Sequence, residues 1–238
     1  MPVLSRQAFF HAGLRSIHIP PSVEIIEGYC FCGCMCLEEV TFDRSSRLLE
    51  IGEGIFSASP FKEITFPSSL ESIGDHCFHC CPQLKRVQFV PGSHLLTTGK
   101  ESLRGTGVEN ITIPSSVEII GDWCFMYCGA IERVVFENQS HLSRIESHAF
   151  YGTDIKTIKM PASLRAIGEG CFFACHSLKS VKFPDDSCLS RIDAQAFQAS
   201  GIENIAIPSS VAKLPKNSFN YRKFLRHVTY KRRQAPSP

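Results

Sequence analysis

The chain lacks the features that mark several large protein classes. No stretch approaches the roughly 18 consecutive apolar residues of a membrane-spanning helix, so we expect none. Residues 1–13 contain no apolar segment long enough for a secretory signal peptide. No nucleophile elbow, phosphate-binding loop or dinucleotide-binding fingerprint occurs, and the nine histidines are scattered. We therefore expect no enzymatic activity, no catalytic residues, no cofactor and no metal.

Acidic residues are missing from the C-terminal end. None follows Glu203, although residues 1–212 hold 17 Lys or Arg against 23 Asp or Glu. A charged end caps the last open coil of a repeat protein, and it could also bind a polyanion such as nucleic acid, acidic glycan or lipid. The candidate basic end consists of Arg222, Lys223, Arg226, Lys231, Arg232 and Arg233.

A fixed repeat organises the sequence. The stretch PSSVEIIGDWCFMYCGAIERVVF at 114–136 recurs, with variation, at intervals of 47 residues from prolines 20, 67, 161 and 208. Shorter relatives such as residues 137–160 lie between, so the chain alternates units of 23 and 24 residues. These lengths fall within the 20–29 range of leucine-rich repeats. The sequence thus predicts one continuous solenoid over residues 1–230, with a truncated first unit, a terminal coil at 208–230 and a basic, proline-containing tail at 231–238.

Each unit contains the elements of one coil. An apolar triad ends every unit, and its alternation with polar residues predicts a parallel strand. Proline then ends the strand, and a glycine after the next isoleucine indicates a crowded turn. The segment CFxxC or AFxxS is predicted to form a short helical turn whose phenylalanines stack in a column. That column reads Phe9, Phe31, Phe56, Phe78, Leu103, Phe125, Phe150, Phe172, Phe197 and Phe219.

The pattern PSSVxxIGxx(C/A)FxxCxxLxxVxF closely resembles the BspA-like leucine-rich repeats, over about residues 4–230. The resemblance implies an α/β fold: a right-handed, curved solenoid of about ten coils, with a parallel β-sheet on the concave face and short helical turns outside. It also implies a non-enzymatic surface antigen or adhesin that binds proteins or glycans. Cell-surface or secreted localisation follows from the resemblance alone, and a cytoplasmic location is the alternative because the sequence shows no signal or anchor.

Eight of the twelve cysteines belong to two columns of the repeat, spaced by 47 residues. Within a column, neighbours lie two coils apart, beyond the reach of a disulfide, so we expect buried free thiols. The dense clusters CFCGCMC at 30–36 and HCFHCC at 76–81 leave a zinc site open, because His76 and Cys80 share one face of the predicted helical turn. The columns are Cys30, Cys77, Cys124 and Cys171, and Cys34, Cys81, Cys128 and Cys175.

The outward side of the strands is the predicted partner-binding surface. Its residues alternate with the core positions, begin weakly acidic and become basic along the solenoid. It offers no aromatic platforms, which disfavours nucleic acid. A solvated face with binding elsewhere remains open, as does self-association through the uncovered N-terminal edge. The candidate residues are Glu39, Glu63, Arg86, Gln88, Asn110, Arg133, Thr157, Lys159 and Lys182.

Overall fold

The computed structural model describes residues 2–220 and 225–231, which form a parallel-strand solenoid of about ten turns. Each turn contributes one long strand from its apolar triad, and the side chains alternate between buried and exposed along it. The long strands are β2 Ser16–Ile19, β4 Glu39–Phe42, β6 Glu63–Phe66, β8 Arg86–Phe89, β10 Asn110–Ile113, β12 Arg133–Phe136, β14 Thr157–Lys159, β16 Ser180–Lys182, β18 Asn204–Pro208 and β19 His227–Lys231.

A second set of strands crosses the other side of each turn. These strands have two residues each and pair in parallel as one nine-stranded sheet. Their second residue is a core position, as at Ile51, Ile120 and Ile145. The short strands are β1 Val3–Leu4, β3 Ile25–Ile26, β5 Glu50–Ile51, β7 Ser72–Ile73, β9 Thr97–Thr98, β11 Ile119–Ile120, β13 Arg144–Ile145, β15 Ala166–Ile167 and β17 Arg191–Ile192.

The alternation of 23 and 24 residues is visible in the pairing of the long strands. Steps of 23 residues give full parallel ladders, such as β6 with β8 and β10 with β12. Steps of 24 residues weaken the ladder: β12 meets β14 only at Arg133 and Thr157, and no ladder joins β8 to β10 within the described chain. The long-strand sheet is therefore divided into segments, whereas the short-strand sheet is continuous.

The predicted helical turns are wrong, because the described residues contain no helix. Between β11 and β12, Trp123, Phe125 and Tyr127 donate backbone N–H groups to residues 147, 149 and 151 of the next coil, at 2.7–2.9 Å. The backbone N–H groups of Met126 and Cys128 instead donate to carbonyls of the same turn, those of residues 123 and 125. An α-helix would direct every N–H along its own axis, so these turns exchange intrahelical bonds for bonds between coils.

A left-handed residue at two positions of each turn produces this alternation. The two positions recur in nine successive turns with φ near +55° to +70°, and most are not glycine. A non-glycine residue costs about 1–2 kcal/mol in this conformation, so the bonds between coils must offset that strain. The pairs are Gln7 and His11, Tyr29 and Gly33, Gly54 and Ala58, His76 and Cys80, Glu101 and Gly105, Trp123 and Tyr127, His148 and Gly152, Gly170 and Ala174, and Gln195 and Ala199.

The phenylalanine column lies inside these turns and is confirmed. Phe125 and Phe150 stack with ring centroids 5.1 Å apart and an interplanar angle of 1°. The stack runs on both sides of Leu103, which is itself buried where the column is interrupted. Offset ring stacking adds roughly 0.5–1.5 kcal/mol per pair beyond burial. The column therefore couples each coil to the next along the solenoid axis.

The fifth coil, residues 90–113, has a more polar core than the other coils. Thr98 is buried at a position where other coils have isoleucine, and Ser102 is buried at a position where most other coils have alanine or cysteine. Their hydroxyls have hydrogen-bonding partners in the next coil. The Ser102 hydroxyl lies 3.2 Å from the Cys124 sulfur, and the Cys124 thiol also donates to Thr98 Oγ1 at 3.4 Å. This small polar cluster connects the fifth and sixth coils.

Candidate functional site

All nine predicted residues on the outward side of the long strands are exposed. We call this surface the strand face; it comprises the outward residues of the ten long strands, the even-numbered strands β2 to β18 and β19. The buried residue between each outward pair, such as Ile111 between Asn110 and Thr112, belongs to the core. The period-2 pattern alone fixes this orientation, since one shift of register would turn the apolar residues outward.

An open groove of about 950 Å³ crosses the middle of the strand face. It brings together four of the predicted residues, Arg86, Gln88, Asn110 and Arg133. The groove lies over the β8–β10 boundary, where the 24-residue step leaves the two strands without a ladder. Its position could not be predicted from one unit of the repeat, because it depends on how two units of different length meet. Its walls also include Lys85, Val90, Pro91, Glu109 and Glu137.

A second groove of about 750 Å³ crosses the strand face at the β4–β6 boundary, another 24-residue step. Glu39 and Glu63 line it, together with Glu38 and Asp43, and Arg44 is its one cation among the described residues. This part of the face is acidic, as the sequence predicts. Both grooves are open and mix polar with apolar surface in about equal parts, which suits an extended partner better than an enclosed small molecule.

The charges of the strand face are partly neutralised by one another. Arg86 is hydrogen-bonded through Nε to Glu63 at 2.8 Å. Further along, Lys156 pairs with Glu132 at 2.7 Å. Such exposed pairs contribute at most about 1 kcal/mol each. They fix the orientation of side chains more than they stabilise the fold.

Lys159 and Lys182 form an unneutralised pair. They occupy directly opposite positions of β14 and β16, and both are exposed. Neither ammonium group has a carboxylate partner among the described residues. Like charges directly opposite each other in a sheet are destabilising. The fold therefore presents two adjacent cations that an acidic group of a partner could neutralise.

The predicted basic end is only partly within the described chain; Arg222, Lys223, Arg232 and Arg233 lie outside it. Arg226 is exposed. Lys231 is held in place, because its ammonium donates to the Phe183 carbonyl at 2.7 Å and to Asp185 at 2.9 Å. The terminal triad is less buried than predicted: Val228 is 38% and Tyr230 54% exposed, since no described coil covers β19. Lys231 thus contributes to the terminal coil itself.

The two cysteine columns are fully buried, and the twelve cysteines are free thiols. In the second column the thiol donates to the phenylalanine or leucine carbonyl of the preceding coil, as Cys128 does to Leu103 and Cys175 to Phe150, both at 3.0 Å. Burial raises the pKa of Cys124 to about 12 and that of Cys128 to about 11. These groups are neutral hydrogen-bond donors between coils, and they are not nucleophiles.

A cluster of titratable side chains lies on the outer surface of the turns, away from the strand face. His76, His79 and Glu101 each place a potential ligand atom within 4.8 Å of the others. Burial and the nearby Arg104 guanidinium lower the pKa of His79. For Glu101, burial raises the pKa, but the hydrogen bond and charge of Arg104 and the two imidazoles outweigh it, so the net shift is downward.

The predicted partner of His76 was Cys80, four residues along a helical turn. The structure instead brings His76 and His79 against Glu101 of the next coil, because the left-handed residues replace the helix. Glu101 occupies the position of His76 one coil later, a relation that an alignment of the units reveals. The sequence reasoning missed it because it compared positions two coils apart.

Aromatic side chains also lie on this outer surface, where the sequence analysis named no candidate site. Tyr151 stacks on Phe173 with centroids 5.0 Å apart, and Tyr127 meets Tyr151 edge to face. Lys100 lies over the Trp123 ring at 4.6 Å. These contacts join consecutive coils outside the core, and cation–π contacts at exposed sites contribute about 0.5–1 kcal/mol.

In the described part of the chain, no helix is long and apolar enough to cross a membrane.

Comparison with known proteins agrees with this architecture. The profile of the family described as "BspA type Leucine rich repeat region (6 copies)" matches residues 3–132 and again 97–226. No curated protein matches the chain at a significant level.

Two solved structures share the fold. The pneumococcal vaccine antigen PcpA aligns at 19% identity over 97% of this chain and 74% of that chain, with a TM-score of 0.59. A leucine-rich repeat protein of T. pallidum aligns at 19% identity over 85% and 78% of the two chains, with a TM-score of 0.53. Identities this low show the fold alone, whereas the family profile spans nearly the whole sequence. The chain therefore belongs to the BspA-type leucine-rich repeat family.

Proposed function

We propose that this chain is a non-enzymatic interaction scaffold, of the surface antigen or adhesin type, that binds a protein or glycan partner through its strand face. The observation that carries the proposal is the opposed pair Lys159 and Lys182. Two like charges in register cost stability, and an acidic group of a partner that binds between them would remove this repulsion.

The rest of the strand face supports the same function. The groove at β4–β6 has more acidic than basic side chains, and the groove at β8–β10 has more basic than acidic ones. The net charge of the face therefore changes from negative near Glu39 to positive near Lys182. An extended surface of this kind selects a partner by electrostatic complementarity, which governs association rate and specificity. The similarity to PcpA, a vaccine antigen, favours exposure at a cell surface. Under this proposal the cytoplasmic alternative is disfavoured.

Binding to an array of purified extracellular proteins and glycans tests the proposal. The test variant reverses three strand-face charges, Arg133→Glu, Lys159→Glu and Lys182→Glu. The control variant reverses three exposed charges on other surfaces, Lys100→Glu, Arg144→Glu and Arg165→Glu. Both have the same net charge, so a non-specific electrostatic effect would reduce their binding equally. We expect the strand-face variant to bind its partner at least about tenfold more weakly, and the control to bind like the wild type.

Two results would contradict the proposal: equal binding by both variants, or no saturable binding to any protein or glycan. The alternative function, polyanion binding through the basic end, is tested on the same array with heparin and nucleic acid. That function requires affinity that falls steeply with salt and depends on Arg226. Little supports this alternative, because the Lys231 ammonium is already hydrogen-bonded to Phe183 and Asp185.

A further inference from the structure

The outer surface of the fourth and fifth coils carries a block of four side chains from two neighbouring turns. His76 and His79 belong to one turn, and Glu101 and Arg104 hold the equivalent positions one coil later. Backbone bonds fix the two turns relative to each other, since His76 donates to the carbonyl of Lys100 at 2.8 Å. The left-handed conformation of both His76 and Glu101 directs their side chains to the same point of this surface.

The distances from Glu101 to the two histidines are close to those between ligands of a tetrahedral zinc ion. Glu101 Oε2 lies 3.6 Å from His76 Nδ1 and 3.5 Å from His79 Nδ1. Zinc–nitrogen and zinc–oxygen bonds of about 2.0–2.1 Å at tetrahedral angles place two ligand atoms about 3.4 Å apart. The remaining pair, the ligand atoms of His76 and His79, lies within 4.8 Å. Rotation of the imidazole rings toward Glu101 can therefore bring the two nitrogens and the carboxylate oxygen to one ion.

One atom of the block lacks the partner that its burial calls for. His79 Nδ1 is inaccessible to solvent and makes no hydrogen bond, because its 3.5 Å approach to Glu101 does not meet hydrogen-bond geometry. Buried polar atoms are nearly always satisfied, so an orphan of this kind needs an explanation. A metal ion bonded to Nδ1 supplies one. The His76 and His79 side chains are about one-third exposed, so the cluster lies close to solvent, from which an ion and a fourth, water ligand would come.

We propose that His76, His79 and Glu101 form a binding site for a divalent transition metal ion of the zinc class, which links the fourth coil to the fifth. The ligand set of two imidazoles and one carboxylate suits Zn²⁺, and it disfavours Mg²⁺ and Ca²⁺, which require mostly oxygen ligands. The core of the fifth coil contains the buried polar residues Thr98 and Ser102. The ion would join this coil to the fourth coil, which has Phe78 at its position in the phenylalanine column. Its role is structural, independent of partner binding on the strand face.

Arg104 competes with the ion. Its Nη1 donates to Glu101 Oε2 at 2.7 Å, the same oxygen that faces both imidazoles. Binding must displace this hydrogen bond and place a cation near a guanidinium group. Loss of the arginine charge should therefore strengthen metal binding, whereas loss of a ligand should weaken it.

Calorimetric titration with Zn²⁺, in a thiol-free phosphine reductant, tests the site on the full chain. We expect saturable 1:1 binding that His79→Gln and His76→Gln each weaken at least about tenfold, and that Arg104→Gln strengthens about tenfold. His148→Gln is the matched control, because His148 occupies the turn position of His76 on another coil, also with a left-handed backbone. It should bind Zn²⁺ like the wild type. Circular dichroism checks that each variant is folded.

Exposed thiols are the main competing ligands, and Cys80→Ser separates them from the proposed site. Zinc binding that survives in His79→Gln but disappears in Cys80→Ser would overturn the proposal, as would the absence of saturable binding. The histidine ring NMR signals give an independent readout: Zn²⁺ should shift those of His76 and His79 and leave those of His141 unchanged. Shifts confined to other histidines would also overturn it.

Discussion

Replacement of Gly99 by alanine tests how closely the coils approach each other. Glycines 52, 74, 99 and 121 occupy one position of successive turns, just after the short strands. A Cβ atom on Gly99 would lie 2.5 Å from the carbonyl carbon of Gly74, and 2.6 Å from both the oxygen of Gly74 and the nitrogen of Asp75. The φ angle of Gly99 is not in the left-handed region, so crowding by the neighbouring backbone is what selects glycine there.

The cost of the substitution follows from the lack of room on either side. A carbon contact under 3.0 Å is about 0.5–1 Å too short, and its neighbours are backbone atoms held by hydrogen bonds such as Gly99 N–H to the Ile73 carbonyl at 2.8 Å. Movement away from Gly74 brings the chain closer to Gly121, whose own Cβ position lies 2.9 Å from Gly99. Overpacking of this severity costs about 3 kcal/mol, at the upper end of the usual range.

Thermal unfolding and hydrogen exchange together measure this cost. About 3 kcal/mol corresponds to a melting temperature lower by roughly 6–12 °C for a chain of this size. Gly129→Ala is the control, since a Cβ there meets no atom within 4 Å; it should be neutral or stabilising by up to about 1 kcal/mol. Faster exchange should centre on residues 72–75 and 97–100. Equal stability of the two variants would refute the close approach of the coils at the glycine column.

Three further predictions concern the core and the first coil. The six column thiols from Cys77 to Cys175 should react with thiol reagents only after denaturation, because burial raises the pKa of every one of them, to about 11 in Cys128 and Cys175 and about 12 in Cys81 and Cys124; a disulfide from Cys124 to a neighbouring unit would contradict the register. Residues 90–113 should exchange amide hydrogens faster than residues 137–160, because the phenylalanine stack is interrupted at Leu103; equal protection would oppose this. The chain should self-associate through residues 1–31, where Val3 and Phe10 are 40% and 44% exposed and β2 pairs on one side only within the described chain. Ser16→Lys should reduce the light-scattering mass if so, and a wild-type monomer at high concentration would contradict it.

The repeat made most of the core predictable. Periodic apolar positions assigned the long strands, the phenylalanine column and the cysteine columns, because each depends on a spacing that recurs in the sequence. The turn conformation was not predictable in this way. CFxxC has the spacing of a helical turn, but residues such as Trp123 and Tyr127 adopt the left-handed region, which single-residue preferences disfavour. Bonds between coils stabilise that conformation, and a sequence reading of one unit does not contain them.

The candidate sites show the same difference between features that arise within one unit and features that arise between units. The exposed positions of the strand face follow from alternation within one strand, and all nine residues named from the sequence are exposed. The grooves depend on the mismatch between 23- and 24-residue steps, and the cluster of His76, His79 and Glu101 depends on contact between adjacent turns. Both features arise between units, which explains why the search for ligands within a single segment led to Cys80.

A hydrogen-exchange footprint of a partner on this chain tests the central claim most directly. The partner is the tightest binder found on the array of extracellular proteins and glycans, and exchange is compared in the free and bound chain. The account predicts slower exchange in the long strands from β8 to β16, including β14 and β16 with Lys159 and Lys182, and little change in the turns at 121–129 and 146–153. Protection confined to those turns, with the long strands unchanged, would contradict the assignment of the strand face as the binding surface.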